Sequence, residues 1–237
     1  MTGPAGLAAE PESGRVFVER LLPGIADATG SGRVRLDALA RWLQDVAYRD
    51  LLDAGFEEAG AWVIRRQRLR VELFPRFGEP VALRTFCSGM GRFAAERRTS
   101  IRGATARVQA VALWIWLDAE TLRPMRFPPA FVDLYSPSAD GRGANVRLRH
   151  PDPPASGPQA RFEFRATDLD VAGHVNNSHY FAVLEEELTG ADPGPVDVEI
   201  EYREPGEAGD VGVIAAGDRR WIVGADGRVL ASIAGAP

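Results

Sequence analysis

Between Arg33 and Ala54 the apolar residues Leu36, Leu39, Leu43, Val46 and Ala47 fall at i, i+3, i+7, i+10 and i+11. That spacing puts them on one face of a long amphipathic helix, and Gly55 marks its end. A short strand, Val16–Arg20, precedes the helix. After it the period drops to two. Ala61–Leu73, Val81–Cys87, Phe93–Arg102 and Ala106–Leu117 read as four strands joined by short turns, which implies an antiparallel sheet. One long helix beside such a sheet needs a sheet face to cover it.

The pattern then stops and starts again. Residues 136–160 are dominated by Pro, Gly, Ser and Ala without periodicity and read as a linker. Beyond it come a strand at Arg161–Ala166, a helix at Asn176–Leu188 and strands at Val196–Tyr202, Asp210–Ala216, Arg220–Val223 and Arg228–Ile233. The order of the first half is thus repeated, and two such units can pack side by side as a pseudo-dimer. Residues 1–14, rich in Gly, Pro, Ala and Glu, are expected to be disordered. The domains expected are 15–135, a linker at 136–160, and 161–237.

Composition narrows the chemistry. All 28 basic residues are arginine, which excludes Schiff-base and P-loop chemistry. The net charge of −5 argues against a nucleic-acid partner. The single cysteine, Cys87, sits in a strand pattern and reads as a small core residue, so no disulfide or cysteine zinc cage can form. No segment approaches a membrane span of about 20 apolar residues. The first residues have neither a positive start nor an apolar h-region, so a cytoplasmic protein is expected. Arg65, Arg66, Arg68 and Arg70, with Arg97, Arg98 and Arg102, leave two readings open: a solvated sheet face, or a docking surface for an acidic partner.

The densest polar cluster runs from Asp168 to Asn177, where a strand ends and a helix begins. Asp168, Asp170, His174, Asn176 and Asn177 bring two carboxylates, an imidazole and two amides together. Capping a helix needs one such residue, not five. Free N–H groups at a helix start favour the oxyanion of acyl transfer. Gly173 allows a carbonyl to approach the backbone closely. A calcium loop is excluded, because Ala172 and His179 occupy positions that need oxygen ligands. A metal held by Asp168, Asp170 and His174 is the weaker alternative; no metal or cofactor is expected.

The stretch Asp168-Leu-Asp-Val-Ala-Gly-His-Val-Asn-Asn-Ser-His-Tyr180 resembles the DLDxNxHVNNxxY signature of acyl-ACP thioesterases. Leu43-Gln44-Asp45-Val46-Ala47, Trp62-Val-Ile-Arg-Arg66, Pro75 with Gly78-Glu79, Phe93-Ala-Ala-Glu-Arg97, Trp114-Ile-Trp-Leu-Asp118 and Arg123-Pro-Met-Arg126 resemble the same family in order. The resemblance implies an α+β tandem double hotdog, each half a long helix wrapped by an antiparallel sheet. It implies hydrolysis of a fatty acyl thioester on acyl carrier protein, with the acyl-phosphopantetheine arm as substrate. The family's catalytic Asp and His fall on Asp170 and His174. Its Asn falls on Ala172, and its Glu is expected at Pro205, so Glu204 is taken in its place. Gly173, Val175, Asn176 and Asn177 are expected to bind substrate, the N–H groups around Gly173 to Val175 polarising the carbonyl. Rival readings are an acyl-CoA thioesterase, a non-catalytic acyl-binding hotdog and a hydratase-like hotdog. Both a monomer and a homodimer are open.

Overall fold

The computed structural model describes residues 7–56, 61–188 and 193–235. The first half holds β1 (Phe17–Leu21), α1 (Leu36–Asp53), β2 (Ala61–Leu73), β3 (Val81–Met90), β4 (Ala94–Arg102) and β5 (Arg107–Leu117), then α2 (Pro129–Ala139). The second holds β6 (Ala160–Phe164), α3 (Tyr180–Glu187), β7 (Val196–Tyr202), β8 (Gly209–Ala216), β9 (Arg219–Val223) and β10 (Val229–Ala234). All ten strands form one antiparallel sheet in the order β1-β3-β4-β5-β2-β7-β10-β9-β8-β6. The order reads the same from both edges, apart from numbering. Each half is a sheet curled round its own helix, and the halves join where β2 pairs with β7. This is the tandem double hotdog.

Charge sets the seam. Arg66, Arg68 and Arg70 lie opposite Glu201, Glu199 and Asp197 in the β2–β7 register. Arg68 makes a two-pronged ion pair with Asp197, both contacts 2.8 Å. Opposite charges facing across strands favour one register, and a one-residue slip would turn every inward side chain outward. The helices are tied as well. Glu185, near the end of α3, accepts the Leu36 N–H at the start of α1 at 2.9 Å and pairs with the buried Arg33. A carboxylate at a helix N-terminus satisfies a free donor and the helix dipole together.

The core lies between helices and sheet. Leu36, Leu39, Leu43 and Val46 of α1 pack with Leu69, Val71, Leu83, Ile101 and Val108, as the helical stripe predicts. Gly55, with φ of +72°, ends the helix in the left-handed region. Among the described residues no helix is long and apolar enough to cross a membrane.

Three expectations change. α2 does not show in the sequence pattern, because Pro128 and Pro129 open it and Pro137 lies inside it. Residues 140–159 are a strap across the sheet face opposite the helices, not a free linker. Met90 N–H donates to Arg142 O, Arg66 to Arg147 O, and both Glu201 oxygens accept the N–H groups of Arg149 and His150, at 2.7 and 2.9 Å. Of the segment expected to be disordered, residues 1–6 lie outside the described residues. Residues 7–14 lie against the protein, with Glu10 paired to Arg84 and Gly14 against the backbone of Ser138. Any Cβ at Gly14 would meet Ser138 N at 2.5 Å.

Candidate active site

A cavity of about 860 Å³ opens between α1 and the sheet in the first half. Its walls come from Ala47, Tyr48 and Leu51 of α1, Trp62, Trp114 and Ala95 of the sheet, and Phe131 of α2. Small residues leave room in this wall: Ala47 and Ala95 line the cavity beside the larger Trp62, Trp114 and Phe131. Trp62, Trp116, Phe127 and Phe131 pack edge-to-face and stacked at centroid distances of 4.8–5.8 Å, which stiffens one wall.

One side of the mouth comes from the second half. Leu169, Asp170, Val171 and Asn176 reach over the seam onto the cavity, facing Gln44 and Asp45 of α1. The loop is a tight hairpin. Asp170 N–H donates to His174 O and Gly173 N–H to Asp170 O, each at 2.9 Å, with Gly173 at φ +77°. Leu169 and Val175 form a β-bridge. Asp170 is held by both oxygens: Ala172 N–H donates to Oδ1 at 2.9 Å, and Asn176 Nδ2 to Oδ2 at 3.4 Å. The backbone of Ala172 therefore orients the carboxylate where the family pattern has an amide side chain. Asn176 also caps the turn that leads into α3, its Oδ1 accepting the Ser178 N–H at 2.9 Å.

The structure does not assemble the expected Asp–His–Glu set. Asp170 and Asn176 line the cavity; His174 and Glu204 do not. His174 is exposed at the outer tip of the hairpin. Glu204 is exposed beyond β7, 3.8 Å from Arg228. The residue swap at Pro205 does not turn it inward: Arg203 and Glu204 both donate their N–H to Leu230 O, which ends the ladder there. The N–H groups expected to polarise a carbonyl are mostly engaged. Gly173 N–H is used within the hairpin and Val175 N–H donates to Gly206 O; of that trio only the His174 N–H has no partner among the described residues. Asn177 lends its carbonyl oxygen to the Tyr202 hydroxyl at 2.9 Å.

Two cavity residues enter the sequence reading only as part of the first-helix resemblance, with no role in a site. Gln44 and Asp45 face Asp170 across the mouth, and Gln44 Nε2 is buried without a hydrogen-bond partner among the described residues. Burial raises the Asp45 carboxyl above its ordinary range, against the pull of Arg41. The available signal was an amide at position 44, one helical turn before the apolar Ala47 on the covered side of α1. Cys87 is buried against the cavity, and burial raises its thiol to about 11, which disfavours the thiolate form that a nucleophile needs.

The weaker metal reading gains nothing at the hairpin, where Asp168 instead accepts the Arg165 N–H at 2.8 Å. Among the described residues the one group spaced to share an ion is His150, Glu199 and Glu201, under the strap. There Arg66 already lies 3.7 and 4.0 Å from the two carboxylates, and Glu201 is saturated by backbone donors, so the cluster fastens the strap. The arginines of β2 and β4 have similar internal duties: Arg66 and Arg68 at the seam, Arg97 against Asp50, and Arg98 against Gln109.

Comparisons with known proteins agree with this architecture. Residues 15–135 match the model of the acyl-ACP thioesterase N-terminal domain, and residues 153–219 that of the acyl-ACP thioesterase C-terminal domain. A crystal structure of an acyl-ACP thioesterase from Bacteroides thetaiotaomicron superposes with a TM-score of 0.77 at 16% identity, covering 93% of this chain and 97% of that one. The 12:0-ACP thioesterase from Umbellularia californica gives 0.73 at 17% identity, over 93% and 96%. An uncharacterised protein of Mycobacterium tuberculosis is 25% identical over 86% of this chain and 83% of its own length. Oleoyl-acyl carrier protein thioesterase 1 of Arabidopsis thaliana, a chloroplast protein, is 23% identical over 73% of this chain but only 55% of its own length. The two family models together take in most of both halves, seam included: this chain belongs to the acyl-ACP thioesterase family.

Proposed function

We propose that the protein hydrolyses fatty acyl thioesters of acyl carrier protein, releasing the free acid. The observation that carries this is the cavity itself. A long apolar pocket in one half ends, at its mouth, on a carboxylate held by two donors from the other half. A tail lying between α1 and the sheet brings its thioester to Asp170. Asp170 takes a proton from a water as that water attacks the carbonyl carbon. The amides of Asn176 and Gln44 stand where they can hold the water or the carbonyl oxygen. The tetrahedral intermediate then expels the thiolate, which recovers the proton. Base catalysis of this kind contributes about 100- to 10,000-fold. His174, at the exposed tip, is a contact for the pantetheine arm in this reading, and Glu204 has no part in the chemistry.

The carrier follows from the family rather than from a feature of the mouth. The experiment is thiol release from matched acyl-ACP and acyl-CoA substrates. Turnover of acyl-ACP at a higher kcat/KM than the same acyl-CoA supports the proposal. Preference for acyl-CoA moves the protein to its sister activity. Binding of acyl thioesters with release no faster than in buffer leaves it an acyl-binding protein.

A further inference from the structure

The hairpin that carries Asp170 is bonded to Gly206 and to Tyr202 at the end of β7, next to β2 in the sheet. Cys87 on β3, Arg97 on β4 and Tyr135 on α2 line the same cavity, and in strand order β3 and β4 lie beyond β2 and β5. Arg97 stands on the inward face of β4, opposite Cys87 and Ala112 and in line with the buried Ala95, Thr99 and Ile101. A guanidinium holds such a position only when its charge is compensated. Asp50 of α1, with a side chain only 1% exposed, compensates it: Oδ2 lies 2.6 Å from Arg97 Nη1, and Oδ1 lies 2.5 Å from Arg15 Nε. Thr85 Oγ1 accepts from the same Nη1 at 3.3 Å. The Tyr135 ring sits between both guanidinium groups, at 5.9 and 5.7 Å from its centroid, and its hydroxyl donates to Asp50 O at 3.4 Å. Burial raises that phenol to about 12, so it stays protonated.

Arg97 donates one side-chain hydrogen bond, from Nη1 to Thr85, and the same Nη1 makes the ion pair with Asp50; its other N–H groups have no hydrogen bond among the described residues, and the residue lines the cavity. A plain hydrocarbon tail reaching this wall would strip water from those donors and return nothing. A tail carrying an oxygen there would satisfy them. Charge decides which oxygen. Arg15 pairs with Asp50 and Asp53, and Arg97 with Asp50, so two cations meet two anions and no charge is left over for an anionic tail. We infer that this end of the cavity is a subsite for a neutral oxygen, a hydroxyl, near the far end of the acyl chain, with Arg97 as the residue that sets the specificity and Asp50 as the residue that holds it. The inference rests on the thioesterase reading of the mouth. From β2 to Arg97 and Cys87 is two to three strand spacings of about 4.8 Å, roughly 10–14 Å. Three bonds of an extended chain cover about 3.3–3.6 Å, so the oxygen belongs about nine to twelve bonds from the thioester carbon.

The test uses the full chain and pantetheine thioesters of dodecanoate, 12-hydroxydodecanoate and dodecanedioate. The wild type should favour the hydroxy chain over the plain one by about tenfold in kcat/KM, the scale of one hydrogen bond to a charged donor. In the double variant Arg97→Leu with Asp50→Leu, which leaves no lone buried charge, the ratio should fall to near one. Equal rates or a preference for the plain chain in the wild type would overturn the inference, as would a preference for the dicarboxylate. Thermal stabilisation of the wild type by free 12-hydroxydodecanoate against dodecanoate reads the subsite without any variant. If no thioester is hydrolysed, the function proposed for the mouth fails, while that binding comparison still decides the subsite.

Discussion

The two halves share a strand order but not an interior. In the first, an 18-residue helix packs on the sheet and still leaves a cavity of about 860 Å³ beside it, with Phe131 of α2 in its wall. In the second, an eight-residue helix is pulled down onto aromatic rings. Phe164, Tyr180 and Tyr202 form a chain of contacts at 5.0 and 5.5 Å, and Tyr180 presses so close to Gly206 that a Cβ there would clash with its hydroxyl. Burial raises both phenols, Tyr180 to about 12. The same fold thus gives one half with a large cavity and one whose middle is occupied by packed aromatic rings. The first can hold a tail, and the second holds the hairpin in place. Neither half alone builds the mouth.

The division of labour can be broken at either end. The largest effect is expected from Asp170→Asn, which keeps the loop geometry and removes the base. It should lower kcat by about 100- to 10,000-fold at every chain length, whereas His174→Ala should leave most of the rate, since the imidazole lies outside the cavity. Steady-state rates over a series of chain lengths check both, and a greater loss in the His174 variant would move the chemistry to the outer face of the hairpin. Next comes the second half. Phe164→Ala should cost about 3–5 kcal/mol in denaturant unfolding, because a 1% exposed ring leaves a cavity that rigid neighbours cannot fill. Ala95→Phe, in the first half, should instead lower turnover of long chains more than short ones.

A smaller effect lies under the strap. Burial raises the Glu199 carboxyl, but the His150 hydrogen bond and the charges of Arg66 and Arg149 outweigh it and leave it below its ordinary value. A carboxylate with a lowered folded-state pKa adds stability above its unfolded value of about 4.3, and that stability is lost as pH falls through the folded value. Melting temperature measured from pH 7 down should therefore fall less steeply in Glu199→Gln than in the wild type; parallel curves would show that the pair contributes nothing. Cys87→Ala should have the least effect, with hydrolysis retained and the wild-type thiol slow to alkylate at pH 8.

Much of this architecture was legible in the chain because it depends on local period. The stripe from Leu36 to Ala47 predicts α1, and the alternation in Ala61–Leu73 and Val196–Tyr202 predicts the two seam strands residue for residue. What escaped depends on distant partners. α2, opened by Pro128 and Pro129, turns Phe131 and Tyr135 to a cavity built by distant elements. Residues 140–159 have no period because their order comes from Glu201 and Arg66, far away in sequence. The hairpin motif names the chemistry-bearing residues but not which of them point inward; only the fold turns Asp170 in and leaves His174 out. Arg97 reads as one more surface cation until Asp50 is seen beside it.

The central claim is that one half holds the tail while the other presents the base. The most direct test is a crystal structure of the protein with a non-hydrolysable acyl-pantetheine amide. The account predicts the tail between α1 and strands β2, β5 and β4, with the amide carbonyl beside Asp170 and Asn176. A tail lodged in the second half, or a carbonyl seated against His174 and Glu204 on the outer face, would contradict it.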